Sequence, residues 1–483
     1  MVTSFKQSIT RRSFLARSSA AALASAAASG ATRAAEARQM NMLFLISDDL
    51  NNVLGCYGHP EIHTPNIDKF AKRSLKFDRA YCQFPLCNPS RSSMMTGLYP
   101  DETRVHNNKA LFRDRYPQIQ TMPQWFQHHG YTAARVGKLF HYGVPKQIGT
   151  DGLDDPSSWD QVVNPRGRDV TDEDKIFSLR PGQFGGTLSW LAADGTDEEQ
   201  TDGIAATETI RLMEEFGATP FFLGVGFYRP HTPFVAPKKY FDLYPLDEID
   251  PLPFPEVWEP AAAFAQAKPE QRTMTDRQRK EATQAYYASI TFLDAQVGRV
   301  IDALEPLGLS DNTVVAFTSD HGYHLGEHGL WQKRSLFEES ARVPLLLSAP
   351  GMTTQGQSTN SLAELVDLYP TFADCCGLPI PDHVSGVSLK PLLKNPSAHT
   401  KDVALTMDTR RMSENGVRVE FKGYSVRRDR WRYTEWDGGE RGAELYDHTN
   451  DPTEHVNLID DDAYSGIARE MKRLLRERLA SQA

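Results

Sequence analysis

Several features are scarce in this sequence of 483 residues, and each scarcity argues against a class of protein. There are five cysteines, and a disulfide scaffold is not expected in a chain of this size. No apolar run approaches the roughly 20 residues that a membrane-spanning helix needs. The formal net charge is −10, so we do not expect nucleic acid as the main partner, and local cations must hold any anionic ligand. The hydrophobic content of 40% is ordinary for a globular enzyme.

The first 36 residues have the features of an export signal that is removed. Residues 10–15 (TRRSFL) match a twin-arginine signal, residues 16–31 form a weakly apolar Ala/Ser-rich stretch, and small residues at 34–37 permit cleavage. The alternative is an alanine-rich leader without a targeting role. The pattern predicts the twin-arginine translocase as a partner and a periplasmic or extracellular location.

Buried-strand and amphipathic-helix patterns alternate along most of the chain. Apolar runs typical of strands buried on both faces lie at 42–47, 132–136, 221–227, 313–319 and 343–348. Helix-like segments lie at 66–77, 121–129, 201–216, 283–304 and 361–376. This alternation predicts an α/β fold with a large, mixed, mostly parallel sheet sandwiched by helices, and functional residues at the carboxyl ends of its strands.

The pattern changes near residue 401. Short alternating runs at 417–421, 424–427 and 430–435 precede an amphipathic helix at 469–479. We therefore expect a catalytic domain at 37–395 and a small C-terminal α+β subdomain, an antiparallel sheet plus a helix, at 396–483. Two Pro- and Gly-rich stretches, 143–184 and 247–272, are predicted to be loop insertions, the usual place for substrate selectivity.

Carboxylates follow two of the predicted strands. Asp48 and Asp49 end the first strand, and Asp320 with His321 ends another. Oxygen ligands gathered at strand ends suit a hard cation such as Ca²⁺ or Mg²⁺. A single Asp-Asp pair is more often the cap of a turn, but two such strand ends beside an anion-binding motif favour a metal site.

The run Cys87-Asn-Pro-Ser-Arg91 has the physics of an anion site at a helix start. Pro89 suits the first helical turn, Arg91 offers a planar fork of donors for a tetrahedral oxyanion, and the helix N-terminus adds unpaired N–H groups. The alternative is a buried structural cysteine beside a helix start.

Further cations and histidines follow other predicted strands. Lys138 and His141 are three residues apart, so one helical turn would direct both to the same side, and His231 stands between two prolines after the run at 221–227. Lys333 follows Asp320 through a glycine-containing loop. Taken singly, Lys138 with His141 is more often a solvated surface, His231 a packed core histidine and Lys333 an exposed lysine.

Together these motifs resemble the type I, formylglycine-dependent sulfatases of the alkaline-phosphatase superfamily, and most closely their iduronate 2-sulfatase branch. The segments 54–58 (LGCYG) and 64–68 (TPNID) extend the match, and 445–447 (LYD) with 450–452 (NDP) resembles the C-terminal subdomain signature of that family. The resemblance covers roughly residues 40–460. It implies the alkaline-phosphatase-like fold and hydrolysis of sulfate esters.

The resemblance also implies a cofactor, a metal and residue roles. Cys87 would be converted to formylglycine by a formylglycine-generating maturation enzyme, and the hydrated aldehyde would attack sulfur in the first of two steps. One Ca²⁺ would be bound by Asp48, Asp49, Asp320, His321 and the modified Cys87. Arg91 and Lys138 would orient the hydrate, and Lys138, His231 and Lys333 would contact sulfate. The leaving alcohol would take its proton from His231 or Lys333, and His141 would be the base of the second step.

The substrate expected from this resemblance is a sulfated carbohydrate, with sulfate on a uronic acid or a related sugar of a polysaccharide. Two alternatives stay open: a phosphodiesterase or phosphonate monoester hydrolase of the same superfamily, and a non-catalytic protein that binds sulfated glycans. The candidate substrate contacts are Trp159, Arg166 and Arg168 in the first insertion, Trp190 just beyond it, and Arg410 and Arg411 in the small domain.

Overall fold

The computed structural model describes Met1 and residues 39–252 and 267–482. The predicted signal at 1–36 lies outside these residues apart from Met1, and so does the part of the 247–272 insertion from 253 to 266. Contacts divide the chain into Met1–Gln39 and Met40–Ala483, and the fold below belongs to the second unit. In the described ranges no helix is both long and apolar enough to cross a membrane. All five cysteines are free thiols.

The strands of the described residues are, in chain order, β1 (Asn41–Asp48), β2 (Leu75–Phe77), β3 (Ala80–Tyr81), β4 (Thr132–Gly137), β5 (Gln161–Val163), β6 (Phe177–Ser178), β7 (Ser189–Ala193), β8 (Phe221–Pro230), β9 (Phe234–Pro237), β10 (Thr313–Ser319), β11 (His324–Leu325), β12 (Trp331–Gln332), β13 (Arg342–Val343), β14 (Leu345–Ser348), β15 (Ser358–Thr359), β16 (Ala363–Glu364), β17 (Ala404–Glu414), β18 (Val417–Arg428), β19 (Trp431–Trp436) and β20 (Ala443–Asp447).

The α-helices are α1 (Pro65–Ala71), α2 (Cys87–Thr96), α3 (Pro100–Thr103), α4 (Met122–His128), α5 (Arg168–Thr171), α6 (Thr201–Phe216), α7 (Lys238–Phe241), α8 (Pro269–Arg272), α9 (Asp276–Asp302), α10 (Glu338–Ala341), α11 (Leu368–Cys375) and α12 (Ser465–Ala480). Short 3₁₀ turns connect several of them.

Eight strands form the central sheet in the order β15-β2-β14-β10-β1-β8-β4-β5. The five strands from β10 to β5 pair in parallel, whereas β14 is antiparallel to both of its neighbours. The predicted fold class, a mixed and mostly parallel sheet, is confirmed. β1 lies in the middle of the sheet, and this explains its continuous apolar sequence, because every residue from Asn41 to Asp48 is buried.

Alternate side chains of β1 enter two separate cores. Leu43 and Leu45 pack into the core that is covered by α6 and α9, whereas Phe44 and Ile46 pack into the core that is covered by α2, α4 and α11. The sheet is therefore sandwiched by helices, as the alternation of apolar runs and amphipathic segments predicted.

Two predicted helices are shorter in the structure. The segment predicted as helix at 66–77 contains α1, which ends at Ala71, and then β2, because Leu75 and Lys76 pair with β14. The segment predicted at 361–376 begins with β16 and a 3₁₀ turn, and α11 starts only at Leu368. In both cases pairing with strands distant in sequence overrides the local helical pattern.

The C-terminal part contains the expected antiparallel sheet. Strands β17 to β20 form a meander of neighbouring antiparallel pairs, and α12 covers it with Met471 and Leu475 against Val426 and Leu445. The runs predicted at 417–421 and 424–427 belong to one strand, β18, which pairs with β17 from Val417 to Arg427.

A buried ion-pair cluster joins this sheet to the rest of the molecule. Arg432 of β19 donates to the carboxylates of Glu338 and Glu454, and its side chain is 1% exposed. Removal of one partner from such a buried cluster leaves an uncompensated charge in the protein interior, which is strongly destabilising. The cluster therefore fixes where the C-terminal sheet docks.

Candidate active site

The carboxyl ends of β1 and β10 bring the predicted acidic residues together. The two strands pair in parallel register up to Ser47 and Ser319, so Asp48 and Asp320 follow at the same edge of the sheet. Asp49 turns away from the strand with a φ of 68°, and its backbone N–H donates to Asp320 Oδ1 at 3.2 Å. The two segments, which are more than 270 positions apart in sequence, therefore meet at one edge of the sheet.

Helix α2 begins at Cys87 and delivers its thiol to this edge. Every residue of the helix is buried. The Cys87 Sγ lies 3.5 Å from Asp48 Oδ1, 3.5 Å from His321 Nε2 and 3.1 Å from Lys333 Nζ. Residues separated by more than 230 positions in sequence thus surround one sulfur atom.

Arg91, one turn along the same helix, ties the acidic cluster to the chain. Its Nε donates to Asp320 Oδ2 at 2.8 Å, and its Nη1 donates to the carbonyl oxygens of Lys138 and Leu139. Asp48 Oδ1 is 3.5 Å from Arg91 Nη2. With its side chain fully buried, Arg91 acts as a fixed crosslink between α2, β10 and the end of β4.

Two lysines complete the charge balance of the cluster. Lys138 Nζ lies 2.5 Å from Asp48 Oδ2, and Lys333 Nζ donates to Asp49 Oδ1. Burial opposes ionisation of Asp48, but Lys138 and the other neighbouring cations hold its pKa well below the usual value. Burial likewise opposes the charge on Lys333, but Asp49 and its neighbours raise the lysine pKa above the usual value.

Six charged groups meet at this edge, three carboxylates and three cations, from Asp48, Asp49, Asp320, Arg91, Lys138 and Lys333. The Lys333 side chain is 13% exposed, and those of the other five are at most 1% exposed. A divalent ion added to this neutral set makes it positive, which suits an anionic ester.

The donor set fits a divalent metal ion. One ligand atom from each of four residues, Asp48, Asp49, Cys87 and His321, lies within 4.8 Å of every other. Asp49 Oδ2 is buried and has no hydrogen-bond partner. His321 Nδ1 donates to the Gly322 carbonyl oxygen at 2.9 Å, which leaves the Nε2 lone pair directed at the cluster. Burial lowers the His321 pKa and so favours the neutral imidazole that a metal requires.

Asp320, the fifth predicted ligand, lies beside this group. Its Oδ1 is 3.6 Å from His321 Nε2, but both of its oxygens already accept hydrogen bonds, from Arg91 and from the Asp49 backbone.

The two predicted histidines border the same site. His231 donates from Nδ1 to the Thr232 carbonyl oxygen, and its Nε2 lies 3.8 Å from Asp49 Oδ2. His141 is buried, and its Nδ1 has no hydrogen-bond partner. Burial and the nearby Lys138 ammonium lower the pKa of His141 to about 2, so its imidazole is neutral at physiological pH.

A cavity of about 730 Å³ opens above the cluster. Its lining includes the predicted residues His141, His231, Lys333, Arg410 and Arg411. It also includes residues that were not singled out from the sequence: Asn108, Lys268, Gln332 and Arg334. Lys268 lies in the predicted insertion at 247–272, and Arg334 directly follows Lys333. Their closeness in sequence to these predicted features is the signal by which they could have been found.

Four of the suggested substrate contacts, Trp159, Arg166, Arg168 and Trp190, are absent from the lining of this cavity. Trp159 is buried and donates to Asp154 Oδ1 at 3.1 Å, and Arg168 pairs with Asp172. Trp190 packs against Phe177 with ring centroids 4.6 Å apart. Packing, hydrogen bonding and ion pairing thus account for Trp159, Arg168 and Trp190.

Comparison with known proteins identifies the class. The family model described as sulfatase matches residues 40–378, and the model described as N-sulphoglucosamine sulphohydrolase, C-terminal, matches residues 326–481. The sulfatase match identifies the chain as a sulfuric ester hydrolase, and its fold is alkaline-phosphatase-like. The chain belongs to the sulfatase family, because the first model covers more than half of its length.

Curated relatives agree over most of the chain. Iduronate 2-sulfatase of Mus musculus is 33% identical, over 90% of this chain and 93% of that protein. A sulfatase of Formosa agariphila is 31% identical, over 91% of this chain and 87% of that protein.

Solved structures share the fold at lower identity. The phosphonate monoester hydrolase of Agrobacterium radiobacter superposes with a TM-score of 0.76 at 23% identity, over 92% of this chain and 96% of the other. A protein solved in complex with its substrate D-glucosamine-2-N,6-O-disulfate gives a TM-score of 0.71 at 23% identity, over 92% and 98%.

Proposed function

We propose that this protein is an exported sulfatase that removes an O-sulfate from a uronic acid or a related sugar of a sulfated polysaccharide, with a formylglycine made from Cys87 as its nucleophile and one Ca²⁺ in its site. The observation that carries the proposal is the meeting of Cys87 Sγ with Asp48, His321 and Lys333 at distances of 3.1 to 3.5 Å. A thiol that served only to fill the core would not need three charged or polar groups around it.

In this proposal residue 87 provides the nucleophile of the covalent step. Formylglycine, once a formylglycine-generating enzyme has made it there, supplies as its hydrate the oxygen nucleophile that attacks sulfur. Arg91 anchors α2 through Asp320 and thereby fixes the position of residue 87. Lys138 and Lys333 add two ammonium groups beside that position, where they balance negative charge on the sulfate oxygens.

Asp48, Asp49, Asp320, His321 and modified Cys87 would hold the metal ion. The buried and unpartnered Asp49 Oδ2 and the directed His321 Nε2 support this assignment, and the predominance of carboxylate oxygen favours Ca²⁺. A bound divalent ion would supply electrostatic stabilisation of the developing negative charge.

Proton transfer is assigned to three side chains at the cavity. His231 and Lys333 line it and can give a proton to the leaving sugar hydroxyl. His141 lines the same cavity, and its buried Nδ1 has no hydrogen-bond partner, so this nitrogen is placed to accept a proton. Under this proposal His141 is the base that deprotonates the second hydroxyl of the hydrate and so allows sulfate to leave.

The substrate assignment rests on two supports. The first is the 33% identity with a protein that is an iduronate 2-sulfatase. The second is the cationic wall of the cavity, where Lys268 and Arg411 suit an acidic sugar.

The organisation proposed for the chain follows the sequence. Residues 1–36 are a removable twin-arginine signal that the twin-arginine translocase recognises, 37–395 form the catalytic domain, and 396–483 form the C-terminal subdomain. Export then places the enzyme in the periplasm or outside the cell.

The test begins with protein produced alongside a formylglycine-generating enzyme. We expect the peptide that contains Cys87 to have lost sulfur and two hydrogens and gained oxygen, as measured by mass spectrometry. We also expect release of sulfate from 2-O-sulfated uronic acid disaccharides and its loss after treatment with a chelator, with recovery on addition of Ca²⁺.

Other outcomes would select an alternative. An unmodified Cys87 together with binding but no turnover of sulfated glycans would indicate a binding protein. Faster turnover of an aryl phosphate or phosphonate ester than of the matching aryl sulfate would indicate a phosphoester or phosphonate hydrolase.

A further inference from the structure

The backbone around Lys333 is held in an uncommon conformation. Gln332 and Arg334, on either side of it, have φ angles of 74° and 77°. Residues with a side chain adopt this left-handed conformation at a cost of roughly 1 kcal/mol or more each, and such conformations persist only where surrounding contacts enforce them. Lys333, held between these two residues, lies with its Nζ 3.1 Å from Cys87 Sγ.

One set of contacts fixes the residue before Lys333. Gln332 Oε1 accepts hydrogen bonds from Gln271 Nε2 at 2.9 Å and from Lys268 Nζ at 2.5 Å. Gln271 is itself buried. These contacts come from the segment that includes α8, within the catalytic part of the chain.

A second set fixes the residue after Lys333, and it comes from the C-terminal sheet. Arg334 Nη2 donates to Asp408 Oδ1 and to the Thr409 carbonyl oxygen, both at 2.5 Å. Arg410 donates to the other oxygen of Asp408 and to the carbonyl oxygen of Arg334. Asp408 is fully buried on β17, so one carboxylate organises both guanidinium groups and, through Arg410, the backbone next to Lys333.

We propose that Asp408 is a positioning residue for Lys333, which it holds at the reacting centre through Arg334 and Arg410. The proposal rests on the role for Lys333 given above. This role makes the C-terminal sheet part of the catalytic apparatus. Without the Asp408 carboxylate, the Arg334 backbone is free to return to a common conformation, and the Lys333 ammonium then moves away from Cys87. Displacement of a catalytic group by about 1 Å can lower turnover about 100-fold.

The test replaces Asp408 by Asn, which has the same shape but no charge. In Asp408→Asn we expect kcat for an activated aryl sulfate to fall about 10- to 100-fold and KM to change less than about threefold, since Asp408 is fully buried and does not line the cavity. The matched control is Arg428→Gln, which removes an arginine of the neighbouring strand whose partner is Glu470 on α12. The control should keep its kcat.

A double-mutant cycle separates positioning from general damage. In a Lys333→Ala background, Asp408→Asn should lower kcat by less than about twofold, because the group that it positions is already gone. An equal loss in both backgrounds, or a rise in KM with kcat unchanged, would overturn the proposal.

Arg334→Lys serves if Asp408→Asn does not fold, because it keeps the positive charge and loses the two-pronged contact with Asp408 and Thr409. It should show the same loss of kcat and the same dependence on Lys333, and a kcat equal to that of the control would overturn the proposal. Failure of the proposed function is distinguishable, because the wild type would then not turn over the aryl sulfate at all. A Lys333→Ala variant with full activity would show that Lys333 has no catalytic role and would remove the basis for the positioning role. If Lys333→Ala is impaired but Asp408→Asn behaves like Arg428→Gln, only the positioning role is wrong.

Discussion

Cys87 and Cys82 are both buried thiols near the same end of the central sheet, and their surroundings differ. The Cys87 Sγ lies beside Asp48, His321 and Lys333, whereas the Cys82 Sγ contacts the Ser340 carbonyl oxygen at 3.8 Å. Burial and the charge of Asp320 raise the pKa of Cys82 well above the usual value, so that thiol stays protonated. A neighbouring cation such as Lys333, and not burial alone, marks a cysteine for chemistry.

Replacement of Cys87 by Ala should abolish sulfate ester hydrolysis and leave the fold intact. The lost group is the proposed nucleophile precursor, and the vacated space is only that of one sulfur atom, so we expect turnover to fall at least 10³-fold, about the size of other nucleophile losses. Activity assays with an aryl sulfate and far-UV circular dichroism check both parts.

Cys82→Ala is the matched control for that change. It removes an equally buried thiol from the core, so a stability loss of about 1 kcal/mol with retained turnover is expected. If Cys87→Ala kept its activity, or if both variants lost it equally, the assignment of the nucleophile would be wrong.

At the scale of elements, α2 has to be positioned accurately because it contains both Cys87 and Arg91. Its C-terminal end is closed by Gly97, which has a φ of 72° and whose backbone N–H donates to the Ser93 carbonyl oxygen at 2.8 Å. A Cβ at Gly97 would lie 2.6 Å from Val384 Cγ1 and 3.2 Å from Tyr369 Cδ1. This position therefore demands glycine both for its conformation and for its space.

Gly97→Ala should lower the free energy of unfolding by about 2 to 4 kcal/mol, from the left-handed backbone together with overpacking. It should also lower turnover, since relief of the contact with Val384 shifts the helix. Urea denaturation and steady-state kinetics measure the two effects.

Gly308→Ala provides the comparison for Gly97→Ala. Gly308 also has a positive φ, 68°, but nothing lies within 4 Å of its would-be Cβ. Only the conformational cost of about 1 kcal/mol is expected there, with turnover unchanged. Equal effects at the two glycines would show that the packing of α2 does not matter.

At the scale of the whole molecule, the C-terminal sheet contains a carboxyl group with an unusual titration. Glu444 of β20 is 6% exposed, and burial together with the charge of Glu454 raises its pKa to about 8. In the unfolded chain a glutamate titrates near 4.5. The folded protein thus binds a proton that the unfolded chain releases between these two values.

The stability contributed by Glu444 is therefore present below about pH 4.5 and is lost as pH rises toward 8. Glu444→Gln should remove this dependence and make the protein more stable than the wild type at pH 8, by at most about 5 kcal/mol, with little difference near pH 4.5. Urea denaturation at a series of pH values measures the effect.

Glu477→Gln, at an exposed position on α12, is the control for Glu444→Gln and should leave the pH profile of stability unchanged. A Glu444→Gln profile parallel to that of the wild type would show that Glu444 does not titrate in this range.

Much of the architecture follows from sequence, because it depends on patterns that local chemistry imposes. The apolar runs at 42–47 and 313–319 had to be strands covered on both faces, and strands of that kind end at one edge of a sheet. The placement of Asp48 and Asp320 beside each other followed from that rule. Where a partner distant in sequence decides the structure, as at Leu75–Phe77, the local helical pattern gave the wrong element.

The sequence by itself determined the chemical groups of the site: a cysteine and an arginine at a helix start, paired aspartates and several cations. Each of these features lies within a short motif and can be recognised there. Only the tertiary structure decided that Lys333 contacts Cys87 and that Trp159 and Arg168 bind partners away from the cavity. It also decided that Asp408 of the C-terminal sheet binds Arg334, the residue after Lys333. The physical reason is that motifs fix chemistry over a few residues, whereas contacts between distant segments depend on how the sheets and helices pack.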